Sequence, residues 1–598
     1  MPNQTLLKPL CESIYPALLE TYHGAADAAL PALLRGVIAR MAAARGLIAP
    51  PEPDMPGPAR TTLDALDFSD ASPHLPGMLY NTLQGDRRER GAYYTPPALA
   101  LDAARRALLP LLGDPARLPR VLDPALGAGV FLIAAGELMA GWLADHGDGA
   151  PPEARRWRAC AGLYGIDRDP LAVEVARASL WLWAAPPDQP LDALPAHLIC
   201  ADALLDDGAV AKLNPPFDAV LGNPPFASVF TRAASDEQER EQLSAHYQTA
   251  RGAFDLSVPF VERALTLVRR GGRCALVLPN KLLAASYAAA LRRWLRSEAA
   301  LEALIDHAGG GHFDADVYPV LVVLQRNPHP PDAPLQALEG RAAGAPVLIR
   351  QGTQRDLDDL PGHAWSPLLD PDWDLLRRCF EGTRPLGDLA ELAAGLTVGE
   401  AYDLRDRVIE APGLLPLNSC RLLTSGLLER YVTRWGQVRA PFLKRSFRRP
   451  VIPSAALPER RQAQAAGPKL VIAGMGLRPR VYHDAGLSQA SVSTVIITEA
   501  AWPLGALCAL LNAGLLARLY RALYGGLALS GGYLRFGKRE LASMPLPDLP
   551  AGDPRIAALD RLAAQRAASV RDAPLDARID ALVCSLYGID LDTLNPGD

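Results

Sequence analysis

Four short apolar runs, each ending on an acidic or amide residue, constrain the fold of this chain more than any other feature. Val121-Leu122-Asp123 opens into Pro124-Ala-Leu-Gly127-Ala-Gly129 and a helical segment. Leu163-Tyr-Gly-Ile-Asp167 precedes the helical stretch from Pro170 to Trp183, and Leu198-Ile-Cys-Ala-Asp202 is a third run of this kind. The fourth, Phe217-Asp-Ala-Val-Leu-Gly222, leads into Asn223-Pro224-Pro225-Phe226. Apolar strands alternating with helices describe a parallel sheet covered on both faces, a doubly wound α/β fold. Ligands of such sheets sit at the carboxyl ends of the strands, and all four chemically informative ends point there. Gly127 and Gly129 permit a tight turn and close backbone approach to a ligand. An acid at the tip of the second strand, here Asp167, is where a ribose diol is gripped.

The tetrapeptide after the fourth strand suits a planar amino group. Two prolines remove two backbone donors, so the turn offers mainly acceptors. Asn223 supplies an amide oxygen, the Pro224 carbonyl a second acceptor, and Phe226 an aromatic face on which a base can stack. Two acceptors facing an NH2 draw its lone pair out of conjugation and make the nitrogen nucleophilic, which is the chemistry of amino-group methylation. The same tetrapeptide occurs earlier as Asn214-Pro-Pro-Phe217, but no strand leads into it. It falls at the amino end of the fourth strand, away from the ligand side, and reads as a loop.

With Gly91-Ala-Tyr-Tyr-Thr95-Pro96-Pro97 upstream, these motifs resemble, in kind and order, the gamma class of S-adenosylmethionine-dependent N6-adenine DNA methyltransferases. The resemblance covers roughly residues 89–330 and rests on five spaced motifs rather than on one. It implies a Rossmann-like sheet with S-adenosyl-L-methionine as cofactor, held by Thr95, Pro96, Asp123, Pro124, Gly127, Gly129, Asp167, Asp202 and Asn223. Within that set Asp202 is expected on the adenine amino group of the cofactor. Catalysis falls to Asn223, Pro224, Pro225 and Phe226, with Phe226 and Phe313 holding an extruded base. Each has a plainer reading. Asp167 could serve a helix that starts at Asp169-Pro170, Asp202 could be a solvated strand end, Thr95-Pro96-Pro97 a helix start, and Phe313 a core residue.

The 598 residues exceed what one core supports, about 250–300 residues. The expected layout is a helical region over 1–88, Pro-rich and turn-forming over 50–77, then a methyltransferase domain over 89–345 and a connector over 346–384, with the Pro/Gly/Asp-rich stretch running from Pro328 to Pro361. Within the second of these, Phe254–Val268 reads as an amphipathic helix stopped by Gly271-Gly272, Cys274–Leu278 as a strand, and Gly311–Leu324 as a closing hairpin. Residues 385–554 resemble the α+β target-recognition domain of Taq-type adenine methyltransferases through Leu470–Ala473, Ser491–Ile496, Leu510–Ala513, Gly531–Lys538 and Met544–Pro547. A helical tail follows over 555–598.

Net charge is −5, yet Pro385–Pro545 holds 20 Lys+Arg against 11 Asp+Glu, a local excess of +9 that leaves −14 elsewhere. A DNA binder needs a basic surface, not a basic protein. Arg439, Lys444, Arg445, Arg448 and Arg449, interleaved with Trp435, Phe442 and Phe447, are the expected contacts to double-stranded DNA, with Arg535 and Lys538 beside them. A solvated face is the plainer reading of that run.

No apolar leader opens the chain, and Ala501–Leu516 is too short and too interrupted to span a membrane, so a cytoplasmic protein is expected. The eight cysteines form no CxxC pair, which points to neither a zinc site nor a disulfide framework. None of the six lysines has Asp or Glu two positions before it, so a (D/E)xK nuclease centre is not written here, and a restriction endonuclease or other defence subunit would be a separate chain. Cytosine-N4 and RNA-adenine methylation suit the same turn. Protein-glutamine N5-methylation does too, but leaves the basic C-terminal half unexplained. A DNA-binding defence subunit active only with partners is the remaining alternative.

Overall fold

The computed structural model describes residues 2–55, 57–84, 95–147, 149–226, 235–308, 318–327, 330–341, 344–569 and 572–593. The chain divides into two compact units, one of residues 1–282 with 290–355 and one of 283–289 with 356–598.

The first unit is built on a nine-stranded sheet. Its strands are β1 (Val121–Asp123), β2 (Leu163–Asp167), β3 (His197–Cys200), β4 (Phe217–Gly222), β5 (Val268–Pro279), β6 (Ala299–Asp306), β7 (Pro319–Arg326), β8 (Pro334–Glu339) and β9 (Val347–Thr353), in the order β3-β2-β1-β4-β5-β7-β6-β8-β9. The first five are parallel. β7 runs antiparallel between β5 and β6, which gives the sheet its reversed strand. The sheet is a doubly wound, Rossmann-like α/β fold, and the order reverses direction at β1, between β2 and β4. That is the topological switch point at which such sheets bind ligands.

The helices of this unit follow the apolar spacing of the sequence. α1 (Pro2–Pro9), α2 (Tyr15–Thr21), α3 (Ala26–Ala44), α4 (Gly57–Asp64) and α5 (Leu75–Leu83) precede the sheet. α6 (Pro97–Leu108), α7 (Val130–Asp145), α8 (Pro152–Cys160), α9 (Pro170–Ala184), α10 (Asp207–Ala211), α11 (Ser235–His246) and α12 (Ser257–Leu267) accompany it. The first five helices are not a separate body. One contiguous core runs from Leu6, Leu33 and Leu79 through Leu132 and Trp181 to Ile305 and Leu338. The Pro-rich 50–77 segment, expected to be turns, contributes α4 and the start of α5, with Pro76 in the first turn where a missing N–H costs nothing.

Two further expectations are corrected. Gly271-Gly272 does not separate a helix from a strand at Cys274, because β5 already begins at Val268 and runs through the glycines. At the β4/β5 irregularity a Cβ on Gly272 would stand 2.5 Å from the Asp218 carbonyl, so only glycine allows that approach. The connector expected from residue 346 contains β9, and β8 lies in the Pro-rich stretch before it. Both strands are short and lie among Pro, Gly and Asp residues that read as turns, which hid them from the sequence. The fully buried Gln354 closes this end: its amide oxygen accepts from Leu301 N (3.2 Å) and its amide nitrogen donates to Leu301 O (2.8 Å).

The second unit is α+β. Ala390–Ala394, Thr494–Ala500, Lys469–Ala473 and Val481–Asp484 form one four-stranded antiparallel sheet in that order. Ile409–Glu410, Pro450–Pro453, Ser419–Leu423 and Ser488–Ala490 form a second. The helices Leu504–Asn512 and Gly514–Tyr524 are buried in this unit's core, as are Ile556, Leu559, Ile579 and Val583 from the two C-terminal helices. Among the described residues no single helix is long and apolar enough to cross a membrane. The one pair that passes by length and composition bends by 65° between Leu504–Asn512 and Gly514–Leu527.

Candidate active site

The carboxyl ends of β1, β2 and β4 open on one cavity of about 590 Å³. Pro124, Gly127, Asp167, Asn223 and Pro225 line it, together with Thr95, Arg168, Asp169, Glu239, Leu256 and Phe260. The turn after β1 is held open by glycine. Gly127 has φ 49° and Gly129 φ 81°, both in the left-handed region that side chains resist. A Cβ on Gly127 would meet nothing within 4 Å, whereas one on Gly129 would press on Ala176 of α9 at 3.2 Å. The first glycine therefore faces open space and the second lets a helix pack closely. Gly129 then caps α7.

Asp167 grips the loop itself. Its Oδ2 accepts from Gly127 N (2.8 Å) and its Oδ1 from Asp169 N (3.0 Å). A carboxylate oxygen can accept more than one hydrogen bond, so holding the loop is compatible with a contact to a diol. The helix cap that the sequence left open falls to Asp169, which accepts from Leu171 N (2.9 Å). Asp202 Oδ1 accepts from Leu204 N (2.8 Å) and Leu205 N (3.2 Å), and its Oδ2 lies 3.6 Å from Arg168 Nε. Asp202 is not among the cavity-lining residues; Ala201 and Ala203 on either side of it are.

Asn223 and Thr95, 128 positions apart in sequence, meet here. Asn223 Nδ2 donates to the buried Thr95 hydroxyl (3.0 Å), which fixes the side-chain amide with its nitrogen turned to Thr95. Pro224 is buried, and Phe226 is half-buried with its ring against the core. Pro96 caps α6 in an extended conformation. Asn214 is exposed at the amino end of β4 with φ 55°. Phe313, with Gly91–Tyr94, lies outside the described residues.

Asp123 is the electrostatic outlier. It is fully buried; Oδ1 accepts from Ala125 N (3.1 Å) and Oδ2 has no hydrogen-bond partner among the described residues. Burial, reinforced by the nearby Asp167 carboxylate and opposed by the Ala125 hydrogen bond, pushes its carboxyl up from 3.8 to about 8.

Sequence reasoning missed α5. Tyr80, Asn81 and Gln84 line the same cavity. Nothing in their spacing announces this, since the contact joins segments some 90 residues apart.

The basic run of the second unit folds as a tight hairpin, Ala440–Phe442 with Arg445–Phe447, turned by Leu443 and Lys444 at φ 44° and 67°. Strand alternation sends Phe442 and Phe447 into a core and leaves Lys444 and Arg445 outside. Trp435 is half-buried and donates to Pro450 O (2.9 Å). The interleaved aromatics are thus packing residues and not a stacking platform. Arg445 lies over the Phe447 ring, Arg439 donates to Ser446 O, and Arg448 donates to Gly436 O (2.9 Å). Arg449 is half-buried against Gly436, while Arg535 and Lys538 are exposed elsewhere on this unit.

A doubly wound sheet with a reversed strand, a glycine loop at its switch point and an acid after β2 defines an S-adenosylmethionine-dependent methyltransferase. The donors present fit that cofactor: an open glycine backbone, a carboxylate beside it and a cavity within the 300–1,000 Å³ usual for ligands of this size. Residues 161–313 match the Eco57I restriction-modification methylase family. The Type II methyltransferase M.PaeR7I of Pseudomonas aeruginosa is 26% identical over 478 residues, spanning 72% of this chain and 81% of its own. M.TthHB8I of Thermus thermophilus, also a Type II methyltransferase, is 28% identical over 369 residues, 57% of this chain and 68% of its own. The Type IIL restriction-modification enzyme MmeI, solved in complex with DNA, superposes with a TM-score of 0.59 at 13% identity, covering 92% of this chain and 83% of its own. The chain is a DNA methyltransferase of the restriction-modification type, similar over residues 161–313 to the Eco57I methylases.

Proposed function

We propose that this protein methylates N6 of adenine at a specific site in double-stranded DNA. The observation that carries the reading is the meeting of Asn223 and Thr95 in the cavity that also holds the Gly127 loop. With its nitrogen tied to Thr95, the Asn223 amide presents its oxygen as an acceptor of fixed direction, and the Pro224 carbonyl supplies the second. An exocyclic amine held by both has its lone pair directed at one point. The cofactor, when bound, supplies an electrophilic methyl group. The chain's part is to hold amine and cavity in register, and positioning of this kind accounts for most of a direct displacement. No covalent intermediate on the protein is required.

The base must leave the helix to reach such a turn, which costs a few kcal/mol. Phe226 and, by resemblance, Phe313 offset part of that through stacking. Phosphate contacts come from the second unit, where Lys444 and Arg445 stand on an exposed hairpin and Arg535 and Lys538 are exposed as well.

The test compares Asn223→Ala with Asn214→Ala. The first should retain cofactor binding and lose methyl transfer by at least about a hundredfold, since one acceptor vanishes at the reacting centre. The second should methylate at the wild-type rate. Nucleoside analysis of the product separates N6-methyladenine from N4-methylcytosine, and the latter would refute the adenine assignment.

A further inference from the structure

The helices before the sheet have no role in the chemistry described so far, yet the last of them reaches the cavity. α5 lies against the glycine loop so closely that a Cβ on Gly77 would stand 2.6 Å from Ala128 Cβ, a separation real Cβ atoms do not show. One turn on, the buried Tyr80 hydroxyl donates to Asp169 Oδ2 (2.7 Å). Gln84 Nε2 donates to the same oxygen (2.9 Å). The other oxygen of Asp169 caps α9, and the Asp169 backbone N–H donates to Asp167, which holds Gly127. A continuous chain of hydrogen bonds thus runs from α5 through Asp169 and Asp167 to the turn that must cradle the cofactor. Asn81, between the two donors, lines the cavity with them.

We propose that α5 is a working wall of the cofactor site, with Tyr80 and Gln84 as positioning residues that set Asp167 and the glycine loop for S-adenosylmethionine. The inference rests on the reading of this cavity as the cofactor site. The N-terminal helices are therefore part of the methyltransferase and not an appended region. A hydrogen bond to a carboxylate is stronger than one between neutral groups, so removing either donor lets the Asp167–Asp169 turn relax. Gly77 has the opposite logic to an ordinary helix glycine. Alanine there would favour an isolated helix, but here it drives α5 off Ala128.

The experiment is a calorimetric titration of the full-length protein with S-adenosylmethionine and with S-adenosylhomocysteine. Tyr80→Phe and Gln84→Ala should each raise the dissociation constant about tenfold for both ligands, measured at a temperature where the cofactor-free variants are fully folded. Gln84→Glu should bind more weakly than Gln84→Ala, because it sets a second carboxylate against Asp169, and should recover toward about pH 5 as that carboxyl takes up a proton. A packing role alone predicts no such pH dependence. Gly77→Ala should weaken binding as well. Asp167→Ala is the control for the site. If it weakens binding while Tyr80→Phe and Gln84→Ala bind as wild type, the proposal for α5 is overturned and the cofactor site stands. If Asp167→Ala itself binds as wild type, both are overturned.

Discussion

Replacing Asp123 with asparagine should stabilise the cofactor-free protein, and by an amount that depends on pH. The folded state raises the carboxyl from 3.8 to about 8, chiefly by burial. Between those values the folded chain keeps a proton that the unfolded chain releases. The stability tied to this group is therefore complete below about pH 4 and is lost as pH rises toward 8. At 1.36 kcal/mol per unit over about four units, the wild type forfeits at most about 5 kcal/mol by pH 8. Asparagine keeps an acceptor for Ala125 N and never ionises, so the variant should match the wild type near pH 4 and exceed it increasingly above. The assay is urea unfolding of both proteins at pH 5, 6, 7 and 8 without cofactor. All other titrating groups are common to the two, so their difference isolates Asp123. A difference that stays constant with pH would show that the buried carboxyl is ionised throughout, and would refute the reasoning.

Asp167→Ala removes the acceptor of Gly127 N and, by the proposed assignment, of the ribose hydroxyls. Hydrogen bonds to a charged group are worth about 1.5–3 kcal/mol, so S-adenosylmethionine affinity should fall roughly tenfold to a hundredfold by calorimetry. Replacing Arg445, Arg448 and Arg449 together with glutamine should weaken DNA binding and flatten its dependence on salt while leaving cofactor affinity intact. Titrations at two or more salt concentrations decide this, and a wild-type slope would make the hairpin only a solvated face.

The parallel half of the sheet was legible because its strands are buried on both faces and end on residues that chemistry selects. Val121–Asp123 and Leu163–Asp167 match β1 and β2 residue for residue. Legibility failed where structure depends on partners distant in sequence. β8 and β9 are short and sit in a Pro/Gly/Asp-rich stretch whose turn signals mask them. Gly272 looks like a helix stop unless the Asp218 carbonyl opposite it is known. Phe442 and Phe447 stand among basic residues that mask the period of two by which the hairpin buries them. That Asp167 and Asn223 come together at one cavity was readable from their strand ends, but their partners were not. Thr95 for Asn223, and Tyr80 and Gln84 for Asp169, are tertiary facts.

The position of β9 and Gln354 sets where this chain can be cut. A fragment meant to carry the catalytic unit alone, ended near Arg350 as the apparent connector invites, would sever β9 in mid-strand and discard Gln354. β8 would then become a bare margin with unpaired backbone groups, an invitation to edge-to-edge aggregation. The Leu301 backbone would lose the amide that satisfies both its N–H and its carbonyl inside the protein. Grafting a different recognition unit onto this catalytic unit, or expressing the catalytic unit by itself, therefore calls for a junction after Arg355, where the first compact unit ends.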